Sequence, residues 1–161
     1  MSPSSSLRLS PFAWILVLAL AVLAGCAGGG QVISGEPPRL DVRLLEQTDD
    51  SLRLDLELRN VNDQALKLSA FELSLEHEEN LLLNITENRR LEIGPRGRER
   101  VEFEATLSPP AAAVLGELAG EQRQSLPWQI QGRLVDADGQ AIPVSASGHL
   151  YPVPGRPGQF R

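Results

Sequence analysis

The sequence predicts an all-β protein, an antiparallel β-sandwich of about seven strands with one short helix. Three features point there. Apolar residues recur at every second position through the middle of the chain, as in Leu52, Leu54, Leu56 and Leu58. Such a period marks strands with one buried and one wet face. Turn residues return about every ten positions, the spacing of short strands in a sandwich. A single interval breaks the alternation, beginning Ser108-Pro109-Pro110 and continuing in good helix formers.

Composition narrows the field before any element is placed. The chain has 161 residues, 42% apolar and 22% charged, enough for one cored domain with extensions. A net charge of -6 argues against nucleic-acid binding, which needs a basic face to neutralise phosphates. One Cys excludes an intrachain disulfide and a Cys-based zinc site. With only two His, a multi-histidine metal centre is not expected either.

The elements follow in chain order. Phe12 to Leu23 is unbroken apolar sequence after a short polar start with Arg8. It falls short of the roughly 20 residues a membrane span needs and suits a signal-peptide core. The run ends in Leu23-Ala24-Gly25-Cys26, which resembles the bacterial lipobox. That resemblance implies cleavage before Cys26 by a signal peptidase reading Leu23, Ala24 and Gly25. It also implies a diacylglyceryl group on the Cys26 thiol and a further acyl chain, such as palmitate, on the new amino terminus. Several acyl chains anchor stably, since each buried methylene adds about 0.8 kcal/mol. Ala27 stands where an Asp would resemble an inner-membrane retention signal. The expected place is therefore the outer membrane of the bacterial envelope, facing the periplasm.

Residues 1–25 thus read as signal peptide, and 26–38 as lipidated Cys plus flexible Gly- and Pro-containing linker. Residues 39–150 read as the β-domain, and 151–161, with Pro-Val-Pro-Gly-Arg-Pro-Gly, as an extended tail unable to join a central strand.

Within the domain, Leu40, Val42 and Leu44 predict the first strand, and the Leu52–Leu58 alternation the second. Leu66 and Leu68 share one parity, but Phe71, Leu73 and Leu75 share the other. The slip at Ser69-Ala70 predicts a bulge or a strand that bends between sheets. Leu81, Leu83 and Ile85 predict the next strand, and Val101, Phe103, Ala105 and Leu107 the one after. Ser108 then caps a short crossing helix with Pro inside its first turn. Trp128, Ile130, Gly132 and Leu134 form another strand, and Ile142, Val144, Ala146 and Gly148 the last. Asp138-Gly139 between these two signals a tight hairpin.

At Leu58-Arg59-Asn60-Val61-Asn62, followed by Ala65-Leu66-Lys67-Leu68, the chain resembles the type 2 late-embryogenesis-abundant (LEA) proteins, the water-stress and hypersensitive-response domain. The family places an Asn-Pro-Asn turn after a strand, and Val61 stands at the Pro position. Ile93-Gly94-Pro95-Arg96-Gly97, Gln131-Gly132-Arg133-Leu134 and Ile142-Pro143-Val144-Ser145-Ala146-Ser147-Gly148 follow in the family's order. The resemblance spans roughly Glu36 to Pro154. It implies an immunoglobulin- or fibronectin III-like sandwich, no enzymatic activity, no cofactor and a role in desiccation, freezing or osmotic stress. Its targets would be client proteins or membranes.

Motifs for chemistry are sparse. His77-Glu78-Glu79-Asn80-Leu81 lacks the second His of a zinc-protease helix. Asp136-Ala137-Asp138-Gly139 has its Gly too early for a calcium loop and no closing Glu, so a hairpin is expected. Ser145, Ser147 and His149 share a strand face without a placed carboxylate. Arg89, Arg90, Arg96, Arg98 and Arg100 are the one notable charge cluster. It reads either as a contact for anionic headgroups or an acidic partner, or as a solvated hairpin interleaved with Glu92, Glu99, Glu102 and Glu104. The favoured reading is the hairpin. Two functions follow: a stress-protective module held at the membrane, or an envelope module that presents its sandwich surface to a protein, lipid or polymer.

Overall fold

The computed structural model describes residues 35–161. The signal peptide, the lipobox residues Leu23, Ala24, Gly25 and Cys26, and most of the linker lie outside the described residues.

Among the described residues, eight strands form two antiparallel four-stranded sheets. In chain order they are β1 Arg39–Gln47, β2 Ser51–Arg59, β3 Leu66–His77, β4 Asn80–Ile93, β5 Arg98–Thr106, β6 Leu126–Asp136, β7 Ala141–Leu150 and β8 Gln159–Phe160. Helix α1, Pro109–Ala119, joins β5 to β6. The first sheet has the order β5-β2-β1-β8 and the second β4-β3-β6-β7. Their inner faces meet in one apolar core, in which the Phe71 and Phe103 rings of opposite sheets lie 5.3 Å apart, edge to face.

Period two decides which residues enter that core. Leu52, Leu54, Leu56 and Leu58 are all fully buried, and Arg53, Asp55, Glu57 and Arg59 point outward between them. Burial of one Leu side chain contributes roughly 2 kcal/mol, so leucine serves this strand despite its modest β preference. The same logic seats Val101 and Phe103 on β5, and Trp128, Ile130 and Leu134 on β6.

Irregularities move two apolar positions, Leu44 and Leu81, away from expectation. The β1–β2 register shifts between Val42 and Leu44, so Leu45 rather than Leu44 enters the core. The β3–β4 register shifts between Leu75 and Glu76, which buries Leu82 and leaves Leu81 47% exposed. In each case one inserted residue reverses the inward parity beyond it. The shift between Leu68 and Ala70 is the bulge foreseen at Ser69, whose hydroxyl donates to the Asp136 carbonyl at 2.7 Å.

Helix α1 is capped by the Ser108 hydroxyl, which accepts from the Ala111 N–H at 3.3 Å. Ala111, Leu115 and Leu118, at helical spacing, bury its inner stripe. In the hairpin at Asp138-Gly139, Asp136 Oδ1 accepts from the N–H groups of Asp138 and Gln140 at 2.9 and 2.8 Å. Gly132 lies on β6 opposite Leu73 of its neighbour β3, with φ 150°, and a Cβ there would overlap the Glu72 carbonyl. A glycine is needed at that point.

Both ends of the domain differ from expectation. The linker ends earlier than residue 38, because Glu36 is held by hydrogen bonds and Pro38 is buried. The segment read as an extended tail turns back instead. Tyr151 and Arg161 exchange backbone hydrogen bonds at 2.8 and 3.0 Å, and Gln159–Phe160 pairs with β1 as an edge strand. Phe160 is buried against the core, and that apolar gain holds down a segment whose prolines suit only an edge.

Candidate functional site

Two groups of the residues singled out in the sequence lie at one end of the sandwich. One is the asparagine turn. It joins β2 to β3, and its side chains reach well beyond it. Asn60 is fully buried. Its Nδ2 donates to the carbonyls of Gln64, Ile93 and Gly94 at 2.7, 3.2 and 3.0 Å, and its Oδ1 accepts from the Asn62 N–H at 3.0 Å. Two donor hydrogens facing three acceptors means that one bond is shared. The backbone completes the junction: Asn60 donates to the Gly97 carbonyl, and Arg96 to the Asn62 carbonyl, both at 3.0 Å. The asparagines therefore lock the β2–β3 turn to the β4–β5 turn of residues 94–97. Val61 lies between them, half-buried.

Asn62 holds the incoming chain. Its Oδ1 accepts from the Glu36 N–H at 2.9 Å and its Nδ2 donates to the Glu36 carbonyl at 2.8 Å. Asp63 next to it takes a two-pronged contact from Arg96, at 2.7 and 3.1 Å. These hydrogen bonds, and then the charge itself, hold the Asp63 carboxyl below its ordinary range and raise the Arg96 guanidinium. Arg96 adopts a left-handed backbone, φ 55°, kept there by its bonds on both sides.

The second group is the arginines, which do not form one hairpin. β4 ends in the second sheet and β5 begins in the first, so the chain between them crosses the sandwich. Arg90 stays exposed on β4. Arg89 lies over the Phe103 ring at 5.3 Å, bonds Glu87 at 2.6 Å and donates to the Glu102 carbonyl at 3.1 Å. Arg98 and Arg100 stand on the outer face of the first sheet, 3.7 and 3.9 Å from Glu57, and Arg100 is 3.8 Å from Asp55. The ion partners are thus Asp63, Glu87, Asp55 and Glu57 rather than the glutamates interleaved along β5.

That outer face carries an array invisible to a local reading. Register pairs Arg39 with Arg59 and Arg59 with Arg98, so three arginines line up across β1, β2 and β5. The next row is Asp41, Glu57 and Arg100, then Leu44, Asp55 and Glu102, then Glu46, Arg53 and Glu104. Positive charge is concentrated in the first row, next to Glu36 and the incoming chain. Arg39, Arg43, Arg59 and Arg98 line a cleft of about 310 Å³ there with Asp41 and Glu57. Arg39 and Arg59 were not among the residues singled out. Only the strand register brings them beside Arg98.

The remaining candidates take ordinary structural places. His77 is buried, its Nδ1 2.7 Å from the Pro127 carbonyl and its Nε2 3.3 Å from Arg123. The hydrogen at Nδ1 is therefore directed to the carbonyl, and His77-Glu78-Glu79 forms the β3–β4 turn. Ser145, Ser147 and His149 share the exposed face of β7. Among the described residues no group of three or more His, Cys, Asp or Glu side chains is placed to hold a metal ion.

Comparison with known proteins sets this arrangement in context. The sequence model described as late embryogenesis abundant protein, LEA_2, matches residues 55–148, more than half of the chain. None of the curated proteins matches it in sequence. Among solved structures, a protein from Archaeoglobus fulgidus is similar at 10% identity and a TM-score of 0.45, over 73% of this chain and 98% of its own. A protein from Arabidopsis thaliana, solved in solution, is similar at 10% identity and a TM-score of 0.47, over 74% of this chain and 88% of its own. The family match spans the strands from within β2 to within β7, together with the asparagine turn between them, and the chain belongs to the type 2 late-embryogenesis-abundant family.

Proposed function

We propose that this protein is a membrane-anchored, non-enzymatic lipoprotein that protects proteins or membranes in desiccation, freezing or osmotic stress. The observation that carries the reading is the family match across residues 55–148. The lipobox-like Leu23-Ala24-Gly25-Cys26 supports the anchor, with the outer membrane and its periplasmic face as the location.

The mechanism is one of surface. A closed core leaves two outer faces of charged and hydroxyl side chains, which stay hydrated beside a client and keep client surfaces apart. Net charge of -6 discourages self-association of the protector itself. No catalytic residue and no cofactor is required.

The test is protection of a labile enzyme through drying and rehydration. The mature chain, residues 26–161 with Cys26→Ser, is compared at equal mass with an inert globular protein. Recovery clearly above the inert control is expected. Equal recovery would overturn the protective reading and favour the envelope-binding one. Anchoring is read separately, from the mass of the amino-terminal peptide in cells: an acylated Cys26 is expected, and an unmodified one rules the anchor out.

A further inference from the structure

We infer that the arginine row Arg39, Arg59 and Arg98 is a docking surface for anionic phospholipid headgroups, which turns the anchored domain so that its chain-entrance end faces the bilayer. This deepens the membrane-anchored reading and rests on it for its physiological setting, though not for its chemistry.

The first argument is register. Like charges directly opposite one another on a sheet are unfavourable, yet Arg39↔Arg59↔Arg98 stacks two such pairs. Among the described residues, neither Arg39 nor Arg59 has a carboxylate within 4.0 Å, and Arg98 has only Glu57 at 3.7 Å. Asp41, the nearest carboxylate along β1, is engaged by Arg43 at 2.8 Å. A phosphate oxygen placed between guanidinium groups meets donors that these side chains do not satisfy internally.

The second argument is position. Arg39 lies three residues beyond Glu36, whose backbone Asn62 clamps. Eight residues lie between Cys26 and Gly35, a reach of at most about 32 Å even fully extended. An acylated Cys26 therefore keeps this end within reach of the headgroups.

The third argument is polarity. The turns at the far end carry Asp49, Asp50, Glu78 and Glu79, with Glu117 and Glu121 at the helix. Of these only Glu117 has an arginine partner, Arg123 at 2.8 Å. At the near end Asp63 is matched by Arg96 and Glu92 lies 4.0 Å from Lys67, and Glu36, Asp136 and Asp138 stand with Arg39, Arg59, Arg90 and Arg98. An acidic protein with this asymmetry is oriented by a negative surface, which repels the far end and attracts the arginine row. The bilayer is favoured over an acidic protein partner because the row lies beside the segment leading to the lipobox.

The experiment is sedimentation with vesicles of 70:30 phosphatidylcholine to phosphatidylglycerol, against pure phosphatidylcholine, at a series of salt concentrations. The acyl-free mature chain is compared with R39Q/R59Q/R98Q and with R53Q/R133Q/R156Q, which removes the same net charge elsewhere. Binding to the anionic vesicles is expected, weakening with salt. The row variant should lose about a hundredfold, from roughly fivefold per surface arginine, and the control variant under twofold. No preference for anionic vesicles, or equal losses in the two variants, would overturn the inference. So would complete release by millimolar inorganic phosphate at constant ionic strength, which marks a free-anion site, or selective binding to an acidic protein with none to vesicles. Acylation of Cys26 is scored by mass in cells: an unmodified Cys26 with vesicle binding intact removes the anchor and leaves the row. An acylated Cys26 with no row effect does the reverse.

Discussion

The Asn62 side chain holds the Glu36 backbone by both of its polar groups, accepting from the N–H at 2.9 Å and donating to the carbonyl at 2.8 Å. A side-chain amide has the same donor and acceptor pair as a peptide group, so Asn62 stands in for a neighbouring strand at the point where the chain joins the domain.

Replacing Asn62 with Ala removes both bonds from a part-exposed site where water can substitute. A global loss of about 1 kcal/mol is expected in urea titration. The larger effect is local, with amide exchange at Glu36 faster and protease cleavage ahead of Pro38 easier. Unchanged exchange at Glu36 would show that Pro38 alone fixes the chain.

Asn60→Ala should be far more costly. Its amide serves three carbonyls and one N–H in a fully buried place, and none of those groups gains a new partner. A loss of about 3 kcal/mol is expected, since each stranded buried group costs about 1–3 kcal/mol. Asn60→Asp should be no better, because a carboxylate brings no donor to the Gln64, Ile93 and Gly94 carbonyls. A wild-type urea midpoint in either variant would refute this role.

The contrast between these two residues shows what a sequence exposes. Asn60 and Asn62 are recognisable as turn residues because their local chemistry favours turns. Their partners Glu36, Ile93 and Gly94 are 26 to 34 positions away, and no local pattern points to them. The leucines of β2 are legible for the opposite reason: their burial depends only on parity along an unbroken strand. Parity fails at Leu44 and Leu81, where a single inserted residue leaves no mark in composition. Likewise Arg89 to Arg100 reads as a cluster because its members are close in sequence. The Arg39–Arg59–Arg98 row depends on register between three strands and becomes visible only with the fold.

Gly132→Ala tests the close pairing of β6 with β3. A methyl group there meets the Glu72 carbonyl and approaches Leu73 Cα to 2.9 Å, at a φ of 150° that L-residues rarely adopt. Both obstacles are backbone, so the central pair of the second sheet must separate. About 3 kcal/mol of stability should go, from overpacking and strain together. Gly139→Ala, at an open hairpin tip, serves as the milder comparison, and equal costs in the two would contradict the clash.

The carboxy-terminal turn invites a pH experiment. Glu46 on β1 accepts from the Gln159 amide of β8 at 2.9 Å and also bonds Arg53. Those contacts, Gln159 first, lower the Glu46 carboxyl from its ordinary 4.5. A carboxylate held low in the folded state contributes stability above its unfolded pKa and loses it as pH falls through the folded value. Glu46 thus supports the docked β8 above about pH 4.5 and withdraws that support below it. Asp63 acts in the same direction from an ordinary 3.8. The effect is small and weakened by salt, because these groups face solvent. Phe160→Ala removes the apolar half of the same attachment and should cost about 3 kcal/mol at neutral pH. Urea midpoints from pH 3 to 7 separate the two parts. Phe160→Ala should lower the midpoint throughout, whereas Glu46→Gln should flatten the decline between pH 4.5 and 3. If Glu46→Gln leaves the acid limb as steep as in wild type, Glu46 is not a source of the pH dependence.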